Sequence, residues 1–223
     1  MLSEIEMRKQ ICLMGQRMYQ SGFVAANDGN ITVKMADDTV LTTPTGVSKG
    51  FMTPDMICKV DLKGDLLESD GQHKPSSELK MHLKVYAERA DVGAVVHAHP
   101  PYATSFAIAG IPLTKPIMPE AVIALGSVPI APYGTPSTEE IPNAIKDFLD
   151  HYDAILLENH GALSYGNDLE TAYHKMESVE FYAKLLFIST QLGGPQELDQ
   201  GQVERLCAMR AQYGLTGRHP SQK

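Results

Sequence analysis

The stretch Val92-Gly93-Ala94-Val95-Val96-His97-Ala98-His99-Pro100 decides how this chain is read. Its aliphatic, largely β-branched run is short and bounded by Gly and Pro, the pattern of a buried strand. Residues i and i+2 of a strand face the same way, so His97 and His99 present two imidazoles to one point. A second buried strand, residues 154 to 158, runs into Asn159-His160-Gly161 and can supply a third. Three histidines around an open fourth position are the ligand set of a catalytic zinc site. A lone histidine at a strand end more often serves as a hydrogen-bonded edge residue. The case therefore rests on the His-x-His pair together with the His-Gly. The remaining histidines lack such a pattern. His151, His174 and His219 stand in polar contexts and read as surface, His73 falls in a loop and His82 on a helix.

Working outward, residues 4 to 21 read as a helix, with Gly22 suited to its C-terminal cap. The turn cluster Asn27-Asp28-Gly29-Asn30 leads into a strand at 31 to 33, and a second strand at 40 to 43 stops at Pro44-Thr45-Gly46. Residues 56 to 60 and 65 to 68 form a hairpin around Lys63-Gly64. Pro75-Ser76-Ser77-Glu78 opens a helix to about residue 90, with a serine N-cap and an early acid. A short helix is expected at 102 to 109, a strand at 127 to 131, and a helix from 137 to about 150. Asp168 caps the longest helix, to about 191, whose Ala172, Met176, Val179, Ala183, Leu186 and Thr190 form a core stripe. A last helix covers about 202 to 212. Strands joined by short turns make the sheet largely antiparallel, with helices covering it, in an α/β or α+β arrangement. No linker, repeat or low-complexity run divides the 223 residues, which are expected to form one domain, 1–223.

The formal net charge of −8 and sequence pI of about 5.4 disfavour nucleic acid and anionic membranes as partners. The N-terminus lacks the apolar core of a signal peptide, and no stretch approaches the roughly 20 apolar residues of a membrane span. Cys12, Cys58 and Cys207 are odd in number and widely spaced, which fits a reducing cytoplasm.

Three places are suited to an oxyanion. Gly29-Asn30 offers backbone N–H groups and an amide, Thr45-Gly46 a hydroxyl and a close backbone approach, and Ser76-Ser77 a helix N-terminus. Each alone is more often an ordinary turn or cap; together they can hold a phosphate without a basic patch. Lys49 lies nearby, in a loop where a lysine is usually solvated. Glu78, as the first acid of its helix, is ordinarily a dipole-complementing surface residue. Beside a metal that polarises a carbonyl, it would instead be a base for the acidified C–H.

Gly29-Asn30, Thr45-Gly46, Pro75-Ser76-Ser77-Glu78, His97-Ala98-His99-Pro100 and Asn159-His160-Gly161 stand in an order that resembles the class II aldolase/adducin family. The resemblance covers about residues 5 to 215. It implies a single α/β domain with a central, mainly antiparallel sheet flanked by helices on both faces. It also implies a cyclic homotetramer with interfacial active sites. His97, His99 and His160 would bind one Zn2+ per subunit, with Mn2+, Co2+ or Fe2+ as substitutes. Glu78 would be the acid/base and a metal ligand when substrate is absent. Gly29, Asn30, Thr45, Gly46, Ser76 and Ser77 would hold the phosphate of a small phosphorylated sugar. The implied reaction is reversible cleavage of a ketose 1-phosphate to dihydroxyacetone phosphate and a short aldehyde. Epimerases of the family carry Asp where Glu78 stands; dehydratases and decarboxylases share the histidines, and adducin-like heads are non-catalytic. Tyr213-Gly214-Leu215 resembles a tail motif of the fuculose-phosphate branch, in which the tyrosine protonates the aldehyde oxygen in a neighbouring subunit's site. That branch carries a second tyrosine in the loop after the His-x-His helix. Here the loop reads Lys115-Pro116-Ile117-Met118-Pro119-Glu120, and Glu120 stands in its place.

Overall fold

In the computed structural model, which describes residues 2–222, eight strands form one sheet in the order β4-β3-β2-β1-β5-β8-β7-β6. The strands are β1 (Asn30–Lys34), β2 (Val40–Thr42), β3 (Cys58–Val60), β4 (Leu66–Glu68), β5 (Ala94–Ala98), β6 (Ile130–Ala131), β7 (Ala154–Leu157) and β8 (Gly161–Gly166). All pairings are antiparallel except β6 with β7. The fold is α/β with a mostly antiparallel sheet, as expected.

Period-2 alternation divides the core into two layers. Ile31, Val33, Ala94, Val96, Ala98, Leu156 and Ala162 pack beneath α1 (Glu4–Gln20), α3 (Pro101–Ile108), α4 (Pro119–Ala124) and α6 (Leu169–Gln191). Val95, Ile155, Leu157, Leu163 and Tyr165 face α2 (Leu79–Glu88) and α5 (Glu140–Ile145). Asn30, Thr32 and His97 alternate with the first set and so lie on the α2 side. There Thr32 Oγ1 lies 2.9 Å from His82 Nδ1 and 2.8 Å from Tyr86 Oη, which fastens α2 to β1. Ser3 and Glu6 form a capping box at the start of α1, and Gly22 takes a left-handed φ of 71° just past its end, as the sequence suggests for Gly22. Asp168 caps α6, its carboxylate accepting from Thr171 N–H at 2.7 Å. No described helix is long and apolar enough to cross a membrane.

Several local expectations are corrected. β8 is a strand of its own, because Gly161 to Gly166 inserts between β5 and β7; the sequence reading placed a strand at 154 to 158 and none after it. The stretch expected as a loop through Glu120 turns helical at Pro119, where Pro at the first helical position pre-sets φ. The strand expected from residue 127 is confined to Ile130–Ala131, and the helix expected from 137 begins at Glu140. The last helix, α7, spans Gln200–Ala208 and continues only as a 3₁₀ turn, Arg210–Tyr213. His219 is buried, not surface. His219 Nε2 donates to Val122 O at 2.8 Å, and Arg210 Nη1 donates to Ile123 O, so the C-terminal tail is clasped onto α4.

Where the α2 end of the sheet meets α6, Asp153 accepts from Arg89 Nη2 at 2.8 Å and from Lys175 Nζ at 2.7 Å, all three residues being buried. Removing the carboxylate would leave buried Lys175 without a carboxylate partner and Arg89 with Asp91 alone, to which its Nε and Nη2 donate at 2.8 Å. Asp153→Asn is expected to destabilise the fold by about 3–5 kcal/mol, read as a lower urea midpoint at an unchanged slope. A loss under about 1 kcal/mol would show that water already compensates these charges.

Candidate active site

β5 lies between β1 and β8, and its register places the site. Asn30 pairs with His97, Ala98 with Ala162, and Leu157 with Gly161. The start of β1, the end of β5 and the β7–β8 turn therefore meet at one edge of the sheet. Asn159 in that turn adopts φ 54°, a left-handed conformation that Asn tolerates better than most residues. Gly161 follows because nothing larger fits: a Cβ there would meet Ala98 O at 2.5 Å and His99 Cδ2 at 2.6 Å.

The three imidazoles expected from the sequence do converge, each offering a nitrogen within 4.8 Å of the others. His97 Nδ1 donates to Ala162 O at 2.9 Å, which fixes its tautomer and turns the Nε2 lone pair inward. His99 Nδ1 lies 3.3 Å from Asp28 Oδ2, and His99 Nε2 is 3.2 Å from His97 Nε2. With both Nδ1 atoms protonated, those two Nε2 atoms point acceptor lone pairs at each other, an arrangement a cation relieves. Burial, then the neighbouring His97 ring, pushes His160 down to about 4 and His99 below its usual value, against the pull of nearby carboxylates. Both are thereby held as the neutral rings that ligate metals. The donor set fits a divalent transition metal.

Glu78 completes the cluster. Its Oε2 lies 3.3 Å from His97 Nε2 and accepts from Asn30 Nδ2 at 3.0 Å; its Oε1 lies 3.3 Å from His160 Nε2. Oε1 is buried and has no hydrogen-bond partner, an orphan acceptor pointed at the same centre. Burial raises the carboxyl, but the His97 and His160 rings and the Asn30 amide outweigh it and hold Glu78 well below the usual carboxylate range. Glu78 also departs from its expected place in the first turn. α2 begins at Leu79, and Glu78 occupies the capping position without capping, because its carboxylate is turned into the site. Ser76 is not the N-cap; its Oγ accepts from Glu78 N–H at 3.3 Å.

Gly29, Asn30, Thr45, Gly46, Ser76 and Ser77 all line one pocket of about 130 Å³, with Asp28, Lys49, Glu78 and His99 also in its wall. Backbone bonds from Thr43 N–H to Ile31 O, from Ser76 N–H to Thr43 O and from Thr45 N–H to Lys74 O lace its loops together. Gly29 has φ 72°, and a Cβ would lie 2.9 Å from His97 O. The sequence reading undervalued Lys49, which is 1% exposed rather than solvated. It also missed Asp28 as the partner of His99. Neither residue type carries a signal at its position; only the closure of the loops brings them in. Tyr213 and Glu120 are both exposed, on the tail and on the first turn of α4, and neither lines the pocket formed by this chain.

Comparison with known proteins agrees with this geometry. Residues 9–187 match the family model described as class II aldolase and adducin N-terminal domain. The chain is 33% identical to a 3-oxo-tetronate 4-phosphate decarboxylase of Pectobacterium atrosepticum, over 83% of this chain and 86% of that one. It is 32% identical to a 5-deoxy-D-ribulose 1-phosphate aldolase of Bacillus thuringiensis, over 93% and 96%. A solved structure of an L-fuculose 1-phosphate aldolase superposes with a TM-score of 0.84 at 26% identity, covering 93% of this chain and 96% of that one. With its histidine triad and acid in place, the chain belongs to the class II aldolase/adducin family and is an enzyme of its aldolase class.

Proposed function

We propose that the protein is a zinc-dependent aldolase that reversibly cleaves a ketose 1-phosphate to dihydroxyacetone phosphate and a short aldehyde. The observation that carries this reading is the convergence of His97, His99, His160 and Glu78 beside a pocket that Glu78 and His99 line together with Thr45, Ser76 and Ser77. His97, His99 and His160 would hold the metal, with Glu78 joining them when substrate is absent. Three imidazoles suit zinc, and also admit manganese, cobalt or iron. When bound, the ion supplies Lewis acidity that makes a C–H beside a carbonyl acidic.

The remaining steps fall to the chain's own groups. Thr45, Ser76 and Ser77 hydroxyls, with Gly29, Asn30 and Gly46, hold the phosphate and so fix the carbonyl end of the substrate. In cleavage, Glu78 gives a proton to the carbon released by the broken bond; in condensation it removes that proton. Asn30, donating to Oε2, orients the carboxylate. In condensation the aldehyde oxygen needs an acid at the far end of the substrate, and in cleavage the hydroxyl there gives its proton back to the same group. Tyr213, carried on the clasped tail, is that acid for a neighbouring subunit in a homotetramer with interfacial sites. Three unpaired cysteines suit a reducing cytoplasmic setting.

Similarity to the Pectobacterium protein favours one second reading, decarboxylation of a 3-oxo-tetronate 4-phosphate. Metal-loaded protein offered a panel of ketose 1-phosphates should release dihydroxyacetone phosphate from at least one of them. About one divalent ion per chain should be found by elemental analysis, and chelation should abolish the activity. Faster release of carbon dioxide from 3-oxo-tetronate 4-phosphate than cleavage of any ketose would install the second reading, and full activity in metal-free protein would defeat both.

Glu78→Gln keeps the shape and the bond to Asn30 while removing the base. Proton exchange at C3 of dihydroxyacetone phosphate should fall by about 100-fold or more. Exchange at the wild-type rate would place the base elsewhere, with Glu120 the next residue to test.

Tyr213→Phe removes one hydroxyl from an exposed side chain. Carbon–carbon cleavage should slow by about 10-fold or more, while donor proton exchange, which needs Glu78, is spared. Sedimentation should show a tetramer. An active monomer, or normal cleavage by the variant, would strip the tail of a catalytic role.

A further inference from the structure

Lys49 lies in the 3₁₀ turn Lys49–Phe51 and is 1% exposed. A buried ammonium is stable only when a counter-charge or a full set of acceptors replaces its water. Lys49 has neither in full. Its Nζ donates to Asn27 O at 3.1 Å and to Val47 O at 2.6 Å, both neutral carbonyls. An ammonium carries three donors, and the third finds no partner among the described residues. Nor does any described carboxylate come within ion-pair distance of Nζ. Asp28 is close enough to favour the charge, but its carboxylate is engaged with His99. Burial consequently pushes the ammonium down to about 8. Ser48 Oγ, next in the chain, is likewise buried and unpartnered.

Lys49 is one of the residues that line the pocket. Its wall carries two carboxylates, Asp28 and Glu78, and Lys49 is the one lysine or arginine among its lining residues. Without Lys49 an anion would enter a negative pocket on a chain of net charge −8. The two carbonyls that Lys49 holds also belong to the two loops that carry Gly29-Asn30 and Thr45-Gly46. The ammonium thus ties together the loops whose donors face the pocket.

We propose that Lys49 is the specificity-determining residue of this pocket: its buried ammonium is a counter-charge held ready for the substrate's phosphate, and it selects phosphorylated over unphosphorylated ketoses. The proposal rests on reading the pocket as a phosphate site. It has a consequence for stability that a merely structural lysine would not have. Until an anion arrives, the charge is under-compensated, so removing it should not weaken the fold.

The test is urea unfolding of the metal-loaded wild type, Lys49→Met and Lys49→Gln, against increasing inorganic phosphate with chloride at matched ionic strength. The wild-type midpoint should rise with phosphate, as expected for a ligand bound only by the folded state. Lys49→Met should be at least as stable as wild type without phosphate, and should bind phosphate about 10-fold to 100-fold more weakly. Lys49→Gln keeps donors for the carbonyls but no charge, and should lose affinity similarly. In turnover, both variants should raise KM for the phosphorylated ketose far more than they lower kcat. An unchanged phosphate response in Lys49→Met, wild-type affinity in Lys49→Gln, or loss of the fold in either variant would overturn the role given to Lys49 and leave the pocket reading intact. A wild type that ignores phosphate would overturn the pocket reading itself, and the proposal with it.

Discussion

Everything at the site depends on how β5 is paired between β1 and β8. Because strand side chains alternate, a one-residue slip of either pairing would move His97 to the α6 face. In the observed register Asn30 stands opposite His97 and Ala98 opposite Ala162, so three separate segments end at one place. The same register brings Ala162 O to His97 Nδ1, so one backbone carbonyl both follows from the pairing and sets the tautomer of a ligand ring. A metal centre needs rigid ligands, and central strands are among the most rigid elements a sheet offers. Hydrophobic alternation on the other face enforces the register: Val96 and Ala98 are fully buried against helices, and a slip would replace them with imidazole.

The α2 layer is the polar one, and it carries a cost that the packing offsets in part. Thr32, His82, His97 and Tyr86 are all buried there. Thr32 Oγ1 bridges His82 and Tyr86, yet His82 Nε2 remains unpartnered. Burial pushes His82 down to about 3, which keeps the ring neutral behind the site. This network locks the first two turns of α2 to β1. Glu78, immediately before the helix, is thereby held against Asn30 instead of turning outward to cap. A carboxylate with one oxygen hydrogen-bonded and the other unpartnered marks a functional group more than a structural one.

The sequence disclosed the chemistry better than the boundaries. The His-x-His pair was legible because strand geometry alone puts i and i+2 on one face. The third histidine was legible as a residue but not as a neighbour, since β8, which delivers it beside β5, begins only after it. Glycine and serine turns indicated the pocket loops because those residues are selected by backbone conformation, a local property. Lys49, Asp28 and His219 were misjudged for the opposite reason. Their surroundings come from residues 22 to 97 positions away, and a lysine in a loop or a histidine in a polar tail looks the same whether buried or solvated. Glu120 was legible only as the residue standing where a loop tyrosine is expected; that it sits in the first turn of a helix begun by Pro119 was not.

The reactions named for the relatives differ less than their names suggest. A ketose 1-phosphate and a 3-oxo-tetronate 4-phosphate share one fragment: a phosphorylated CH2, a carbonyl, and a carbon bearing hydroxyl. Breaking the next bond gives the same carbanion in both cases, with an aldehyde leaving from one and carbon dioxide from the other. On the proposed reading, every group assigned here acts on the shared fragment: hydroxyls and Lys49 toward the phosphate, the histidine cluster toward the carbonyl end, Glu78 toward the carbanion. The distinction must be drawn at the departing group. As an aldehyde forms, the hydroxyl it derives from must give up its proton to a neighbouring group, which returns it in condensation; a carboxylate leaving as carbon dioxide has no such proton to give. On the proposed reading the two reactions part at the far end of the substrate, and Tyr213, exposed on a tail that Arg210 and His219 fasten to α4, is the residue proposed to act there.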